Sequence, residues 1–418
     1  MTGLPTRRNV LTGAGVVTAS MLTTGSLAAS PPAPETRAIP WELAAAMPGV
    51  CLKTSGHPWE RTDDLLQAMK EAGFTWLRTR YTSSAHDALV LYGSNGIQLQ
   101  LIAGDPMDSV RPADHVQSVI DGGLVPYVLG FEGANEWNLK EREAWVQELL
   151  LHQSELYRAV KGDPTTRHCA VIGPALGMVK DYDLWGFRAE LMTCGNTHIY
   201  SGGNTPELKS EKSVMGPRLN CGELPVIVTE TGWHTASKWT GSHHPTPASV
   251  ARVYAPRTYA EYLRLGVPRL AFYQLADAGL NDSDREDNFG LLDYTLRPKD
   301  HFAAIANFNK IIATAGSGTG SVTSLARRVT GPEDVRSVAV RGPAGRYLLL
   351  VWRETQIWDP LRQRSVSVTA RQVAIDWGTP RTVTTYWPSR SAEPTDHAQD
   401  RVTTVSLAAE LAILEVAA

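Results

Sequence analysis

The stretch Tyr127-Val128-Leu129-Gly130-Phe131-Glu132-Gly133-Ala134-Asn135-Glu136-Trp137-Asn138 decides the fold. Its first five residues form a mostly apolar run of strand length, and the polar residues come just after it. Residues 141–161 follow, with Trp145, Leu149, Leu156 and Val160 on one helical face. Strand, loop and amphipathic helix make one βα unit, and the same unit recurs on both sides. Upstream, strands are expected at 50–53, 75–78 and 98–102. Thr62 is expected to cap a helix over 63–72 that Gly73 stops, and Pro112 to open one that closes at Gly122-Gly123. Downstream, strands are expected at 170–172, 197–200, 226–229 and 270–274. Helices are expected at 248–265, around Pro256, and at 299–312.

Eight such alternations over roughly 265 residues have the size and rhythm of a TIM barrel. A doubly wound open sheet is the competing arrangement. It usually carries a Gly-rich first turn, whereas here that turn reads Thr54-Ser55-Gly56-His57. The barrel is therefore expected over residues 47–314. Composition turns to Gly, Ser and Thr near 314–319. After it come short alternating segments at 337–340, 347–352, 366–368, 373–375, 383–386, 402–407 and 412–416, which read as a β-sandwich over 320–418.

The first 30 residues are set apart from the fold. Thr6-Arg7-Arg8-Asn9-Val10-Leu11 matches the twin-arginine export pattern, a weakly apolar stretch follows, and Ser26-Leu27-Ala28 offers a cleavage site. Residues 31–46, rich in proline at first, read as a linker. A secreted or periplasmic, soluble mature protein is expected, since no later segment is long and apolar enough to span a membrane. The chain is 43% hydrophobic and 20% charged with a formal charge of −3, and no basic run stands out. Neither a nucleic-acid partner nor an anionic membrane surface fits that distribution. The four cysteines lack paired metal spacing. Cys194 and Cys221 precede neighbouring strands, so a disulfide or two buried thiols both fit.

In a barrel the chemistry lies at the C-terminal strand ends. The fourth strand leads to Glu136, and the seventh, Val226-Ile227-Val228-Thr229-Glu230-Thr231-Gly232-Trp233-His234, to Glu230. Two carboxyls on facing walls suit glycoside hydrolysis by double displacement, one protonated to serve the leaving oxygen and one ionised to attack. Glu132 competes with Glu136 for the acid role only if the strand ends earlier.

These residues resemble clan A of the glycoside hydrolases. The resemblance rests on Asn135-Glu136, Thr229-Glu230-Thr231-Gly232-Trp233, Gly73-Phe74-Thr75-Trp76-Leu77-Arg78, His198-Ile199-Tyr200, and Phe289-Gly290-Leu291-Leu292-Asp293 through Arg297-Pro298-Lys299. It covers residues 48–312, and an appended β-sandwich is common in that clan. It implies a retaining mechanism with Glu136 as acid/base and Glu230 as nucleophile. Asn135 is then expected on the sugar 2-hydroxyl, Arg78 and Tyr200 on the nucleophile, and His198 on the same wall. One departure stands out. The clan often places a tryptophan after strand eight, where this chain has Phe272-Tyr273-Gln274. Tyr273, Gln274 or Trp233 is expected to shape the sugar floor instead, with Trp137 as a further binding candidate. The expected partner is a carbohydrate, and no metal or organic cofactor is needed because two carboxyls supply proton and nucleophile. A transglycosylase and a non-catalytic carbohydrate-binding barrel are the rival readings. The Asp282–Asn288 loop offers oxygen ligands for calcium, against which stands a plain solvated rim. His243-His244 suggests a flap.

Overall fold

The computed structural model describes residues 38–315, 327–342 and 346–416, and it is a TIM barrel followed by a β-sandwich. The export pattern and the first part of the expected linker lie outside the described residues. The rest of that linker is ordered: β1 (Ile39–Pro40) is followed by the short helix α1 (Trp41–Ala46). The Trp41 indole donates to the Ile312 carbonyl at 2.7 Å, which fastens this segment to the barrel.

The barrel strands are β2 (Pro48–Cys51), β3 (Trp76–Arg80), β4 (Gln98–Ile102), β5 (Val128–Glu132), β6 (Ala170–Ile172), β7 (Gly195–Ile199), β8 (Val226–Thr231) and β9 (Leu270–Phe272). They pair in parallel in the order β6-β5-β4-β3-β2-β9-β8-β7. A bridge from Ile172 to Cys194, with the Gly173 amide on the Cys194 carbonyl at 3.0 Å, brings the two ends together. Between them run α2 (Thr62–Ala72), α3 (His86–Ser94), α4 (Pro112–Asp121), α5 (Trp145–Gly162), α6 (Asp181–Trp185), α7 (Ser210–Cys221), α8 (Ala248–Arg264) and α9 (Asp300–Ala315).

Local chemistry explains most of these boundaries. Asp63 and Asp64 sit in the first turn of α2, where carboxylates complement the helix dipole. Gly73 ends the helix at φ 71°, with its amide on the Lys70 carbonyl. Thr62, expected as the cap, is the first helical residue instead, and Arg61 precedes it. On α5, Leu149, Leu156 and Val160 are buried as their spacing requires, with Trp145 half-buried. Helix α8 carries Pro256 inside it and continues to Arg264. The four cysteines are buried free thiols, so the Cys194–Cys221 disulfide is not formed.

The second domain comprises β10 (Arg328–Thr330), β11 (Val335–Arg341), β12 (Tyr347–Arg353), the small pair β13 (Trp358–Asp359) and β14 (Arg364–Ser365), then β15 (Arg371–Tyr386), β16 (Asp396–Leu407) and β17 (Ala412–Val416). Strand β15 spans both expected segments 373–375 and 383–386. Residues 366–368, expected as a strand, lie outside any strand. The first half of β15 pairs with β10 and the second half with β17, and its register with β16 shifts between Asp376 and Arg381. The two halves thereby enclose one core, in which Leu349, Val351 and Leu414 meet Val373, Ile375 and Trp377. On the other face of β11 and β12, Val338, Val340, Leu348, Leu350 and Trp352 join the core that the barrel helices share.

Candidate active site

Interior-facing residues of β3, β4, β5, β7 and β8 build one polar network at the barrel mouth. Arg78 on β3 is its hub. Its guanidinium donates twice to Glu132, at 2.7 Å each, once to Glu230 at 2.6 Å and once to the Asn135 side-chain oxygen at 2.7 Å. Glu132 is fully buried and also accepts from Gln100 and Asn196. Burial alone pushes its carboxyl up, but the charge and hydrogen bonds of Arg78 outweigh that and hold it below the usual carboxylate range. Without access to the cleft, Glu132 orients Arg78, so the acid position falls to Glu136.

Strand β8 presents two successive residues to the barrel interior, which plain strand alternation forbids. The register with β7 shifts between Thr197 and His198, so that Thr197 pairs with Val228 but His198 with Glu230. The bulge lets Thr229 reach Asn196 at 2.7 Å while Glu230 reaches Arg78. Tyr200, just past β7, donates its hydroxyl to the other Glu230 oxygen at 2.6 Å. Burial and then the Glu230 charge push the Tyr200 pKa well up, which keeps the phenol a donor.

His198 joins the two carboxyls. Its Nδ1 lies 2.8 Å from Glu136 Oε1 and 3.6 Å from Glu230 Oε2. Those two legs cap the separation of the two oxygens at about 6.4 Å. Burial works against a charged imidazole, but the Glu230 and Glu136 carboxylates raise the His198 pKa on balance. Burial works against ionised Glu136 too, and the hydrogen bond and charge of His198 bring it below the usual range.

The same hydrogen bonds fix the state of His198 Nε2. The Asn196 amide nitrogen donates to Glu132, so its oxygen faces Thr229 and accepts the Thr229 hydroxyl. Thr229 Oγ1, 3.1 Å from His198 Nε2, is then left as an acceptor, and Nε2 carries a hydrogen. Two states of the His198–Glu136 hydrogen bond remain: imidazolium with carboxylate, or neutral imidazole accepting from a carboxylic acid. Both hold one proton between the two side chains.

Two arms of open space meet at this network. Asn135, Glu230 and Tyr273 line both. The smaller, about 380 Å³, runs toward Cys51, Arg78 and Arg80. The larger, about 710 Å³, also holds Glu136, His198 and Tyr200 and is closed along one side by His243 and Phe289. Loops 232–247 and 273–299 supply that side; His243 packs against Tyr200 with ring centroids 5.6 Å apart.

The expected Arg78, Asn135, Glu136, His198, Tyr200 and Glu230 thus converge. Gln274 lines the smaller arm but is wholly buried, and its amide has no protein partner. Trp137 and Trp233 do not line either arm. The Trp137 indole donates to Glu148 under Arg142, and the Trp233 indole to Ser201 beside the Tyr254 ring. Both are buried supports of loops, because their N–H groups are satisfied away from the cleft. In the 282–288 loop, Asp282 pairs with Lys238 and Asp284 accepts the Glu286 amide. Among the described residues no group of three His, Cys, Asp or Glu is arranged to hold a metal. Of the three floor candidates Tyr273 lines both arms, while Asn196, Thr229 and Phe289 are additions that spacing alone did not assign.

A parallel eight-stranded barrel with a C-terminal β-sandwich, and carboxyls at the ends of strands four and seven, is the arrangement that the sequence resemblance to clan A of the glycoside hydrolases led one to expect. No family model and no curated protein matches the sequence. Solved structures do match in fold. A family 39 glycoside hydrolase from Bacteroides cellulosilyticus WH2 aligns with a TM-score of 0.60 at 16% identity, over 90% of this chain and 82% of that one. A glucosidase from Croceicoccus marinus gives 0.55 at 12% identity, over 93% and 97%. A monomeric β-xylosidase from Caulobacter crescentus CB15 gives 0.53 at 13% identity, over 92% and 97%.

Proposed function

We propose that this protein is an exported glycoside hydrolase that cleaves a glycosidic bond with net retention, using Glu136 as acid/base and Glu230 as nucleophile. The observation that carries the reading is the His198 bridge. It holds two carboxyls from facing strands with their nearer oxygens no more than about 6.4 Å apart, compatible with the roughly 5–5.5 Å of retaining enzymes. Glu230, gripped by Arg78 and Tyr200, attacks the anomeric carbon while Glu136 passes its proton to the leaving oxygen. The glycosidic C–O bond breaks and a glycosyl ester forms on Glu230. Esterification removes the Glu230 charge, a principal influence raising the His198 pKa. With its shared proton gone to the leaving group and His198 no longer drawn to one by the Glu230 charge, the pair stays unprotonated, and Glu136 stands ionised to take a proton from the water that attacks the glycosyl ester. The Asn135 oxygen is taken by Arg78, which leaves its amide hydrogens for the sugar 2-hydroxyl. The Thr6–Leu11 pattern supports export and a substrate met outside the cytoplasm.

The test is an activity screen against polysaccharides and aryl glycosides, with Glu230→Ala as the blank. Glu230→Ala is expected to lose activity by roughly four orders of magnitude. Glu136→Ala is expected to regain turnover with azide on substrates with good leaving groups, yielding a glycosyl azide of retained configuration. An azide product of inverted configuration from Glu136→Ala would overturn the assignment.

A further inference from the structure

We infer that the larger arm of the cleft receives a leaving group bearing negative charge, a carboxylate or a sulfate ester on the unit next to the scissile bond. This rests on the proposed hydrolase reading and extends it to a substrate class. The two arms share Glu230, but only the larger contains Glu136. The acid must reach the leaving oxygen, so the departing group occupies the arm that holds it.

That arm is lined by Lys180, Lys209, Lys212 and Arg285. The three lysines are exposed, and none has a carboxylate within ion-pair distance among the described residues. Apart from the two proposed catalytic carboxyls, Glu286 is the acidic lining residue there, and it is already paired with Arg285 at 3.0 Å. Glu230 is itself compensated by Arg78. In a chain of formal charge −3, this is a local excess of positive charge facing empty space. Lys209, Lys212 and Ser213 belong to the start of α7, whose dipole adds positive potential in the same direction. His243 also lines the arm, and burial first, then the Arg285 and Lys209 charges, hold its pKa below the ordinary value. Met178 and Leu139 give the arm apolar surface as well, on which a sugar face can rest.

Two matched aryl glycosides with the same sugar test the charge directly. One has a 2-nitrophenyl leaving group and the other a 5-carboxy-2-nitrophenyl group. The carboxylated substrate is expected to show about tenfold higher kcat/KM at low salt, chiefly through KM, and the advantage is expected to shrink at high ionic strength. In Lys209→Gln/Lys212→Gln the ratio is expected to fall toward one. A ratio of one or less in the parent protein, or a ratio unchanged in the variant, overturns the inference. Calorimetric titration of Glu230→Gln with galacturonic acid trisaccharide, a sulfated chondroitin disaccharide and cellotriose separates carboxylate from sulfate recognition. It also separates the two proposals. Preference for an anionic sugar without hydrolysis of any glycoside sinks the hydrolase reading alone. Hydrolysis with cellotriose bound as tightly as the anions sinks this one alone.

Discussion

The Thr229 hydroxyl has one hydrogen, and it goes to Asn196. That leaves His198 Nε2–H with Thr229 as its acceptor at 3.1 Å, and leaves Nδ1 to share a proton with Glu136. The pair loses that proton only above the raised pKa of His198, so the alkaline limb of kcat/KM is expected above pH 6.5, the ordinary histidine value. Thr229→Val keeps the shape and removes the acceptor. A buried imidazolium with an orphaned Nε2–H is less favourable, so the limb is expected to move about one pH unit toward acid. Activity at the optimum should stay within about tenfold of the parent. Profiles of both proteins on one aryl glycoside check this. A limb that does not move means Thr229 does not set the tautomer.

At the scale of elements, what was legible depended on how local the signal is. Strands 98–102 and 170–172 stand where their apolar runs place them. Asn135-Glu136 and Glu230 come just after the expected strands because the polar break after an apolar run is a local signal. Helix α7 was not: Gly216 and Pro217, poor helix formers, lie inside it, and it has little amphipathic pattern. Helix α1, a single short segment after Pro40, reads as linker, and the bulged strand β15 reads as two. The His198 bridge and the bulge at Thr229 depend on register between strands, which no single segment carries. Nor does sequence reveal Arg257 as one of the ties between domains. It lies fully buried on α8, paired twice with Glu207 and donating to the Thr355 and Ala409 carbonyls of the sandwich. Arg257→Ala strands a buried carboxylate and two carbonyls, and a loss of about 3–5 kcal/mol is expected. Urea unfolding followed by intrinsic fluorescence checks it, and a loss under 1 kcal/mol contradicts the role.

For the molecule as a whole, acid acts against a set of buried histidines. His152 on α5, His234 after β8 and His301 on α9 are buried at separate places around the barrel. Burial holds their pKa values down to about 4, about 4 and about 3. Their folded values lie below the ordinary 6.5, so the unfolded chain takes up protons first. The stability they contribute is present above pH 6.5 and is lost as pH falls toward 4. Asp277 runs the other way. Burial raises it to about 6 despite Lys299 at 2.7 Å, so the folded chain gains stability as pH falls from there toward 3.8. Among these four groups, three protons favour unfolding against one that opposes it; the lowered His115 and His243 add to the first side, and the raised His198 and Glu354 to the second. The four together contribute a slope of about 2–3 kcal/mol per pH unit between pH 6 and 4. Melting at constant ionic strength is expected to show Tm falling by several degrees from pH 6.5 to 5. A Tm that holds level or rises over that interval would mean these histidines reach solvent before the barrel opens. His301→Gln should recover part of the loss at pH 5, because it removes the site with the largest depression without adding a group that titrates.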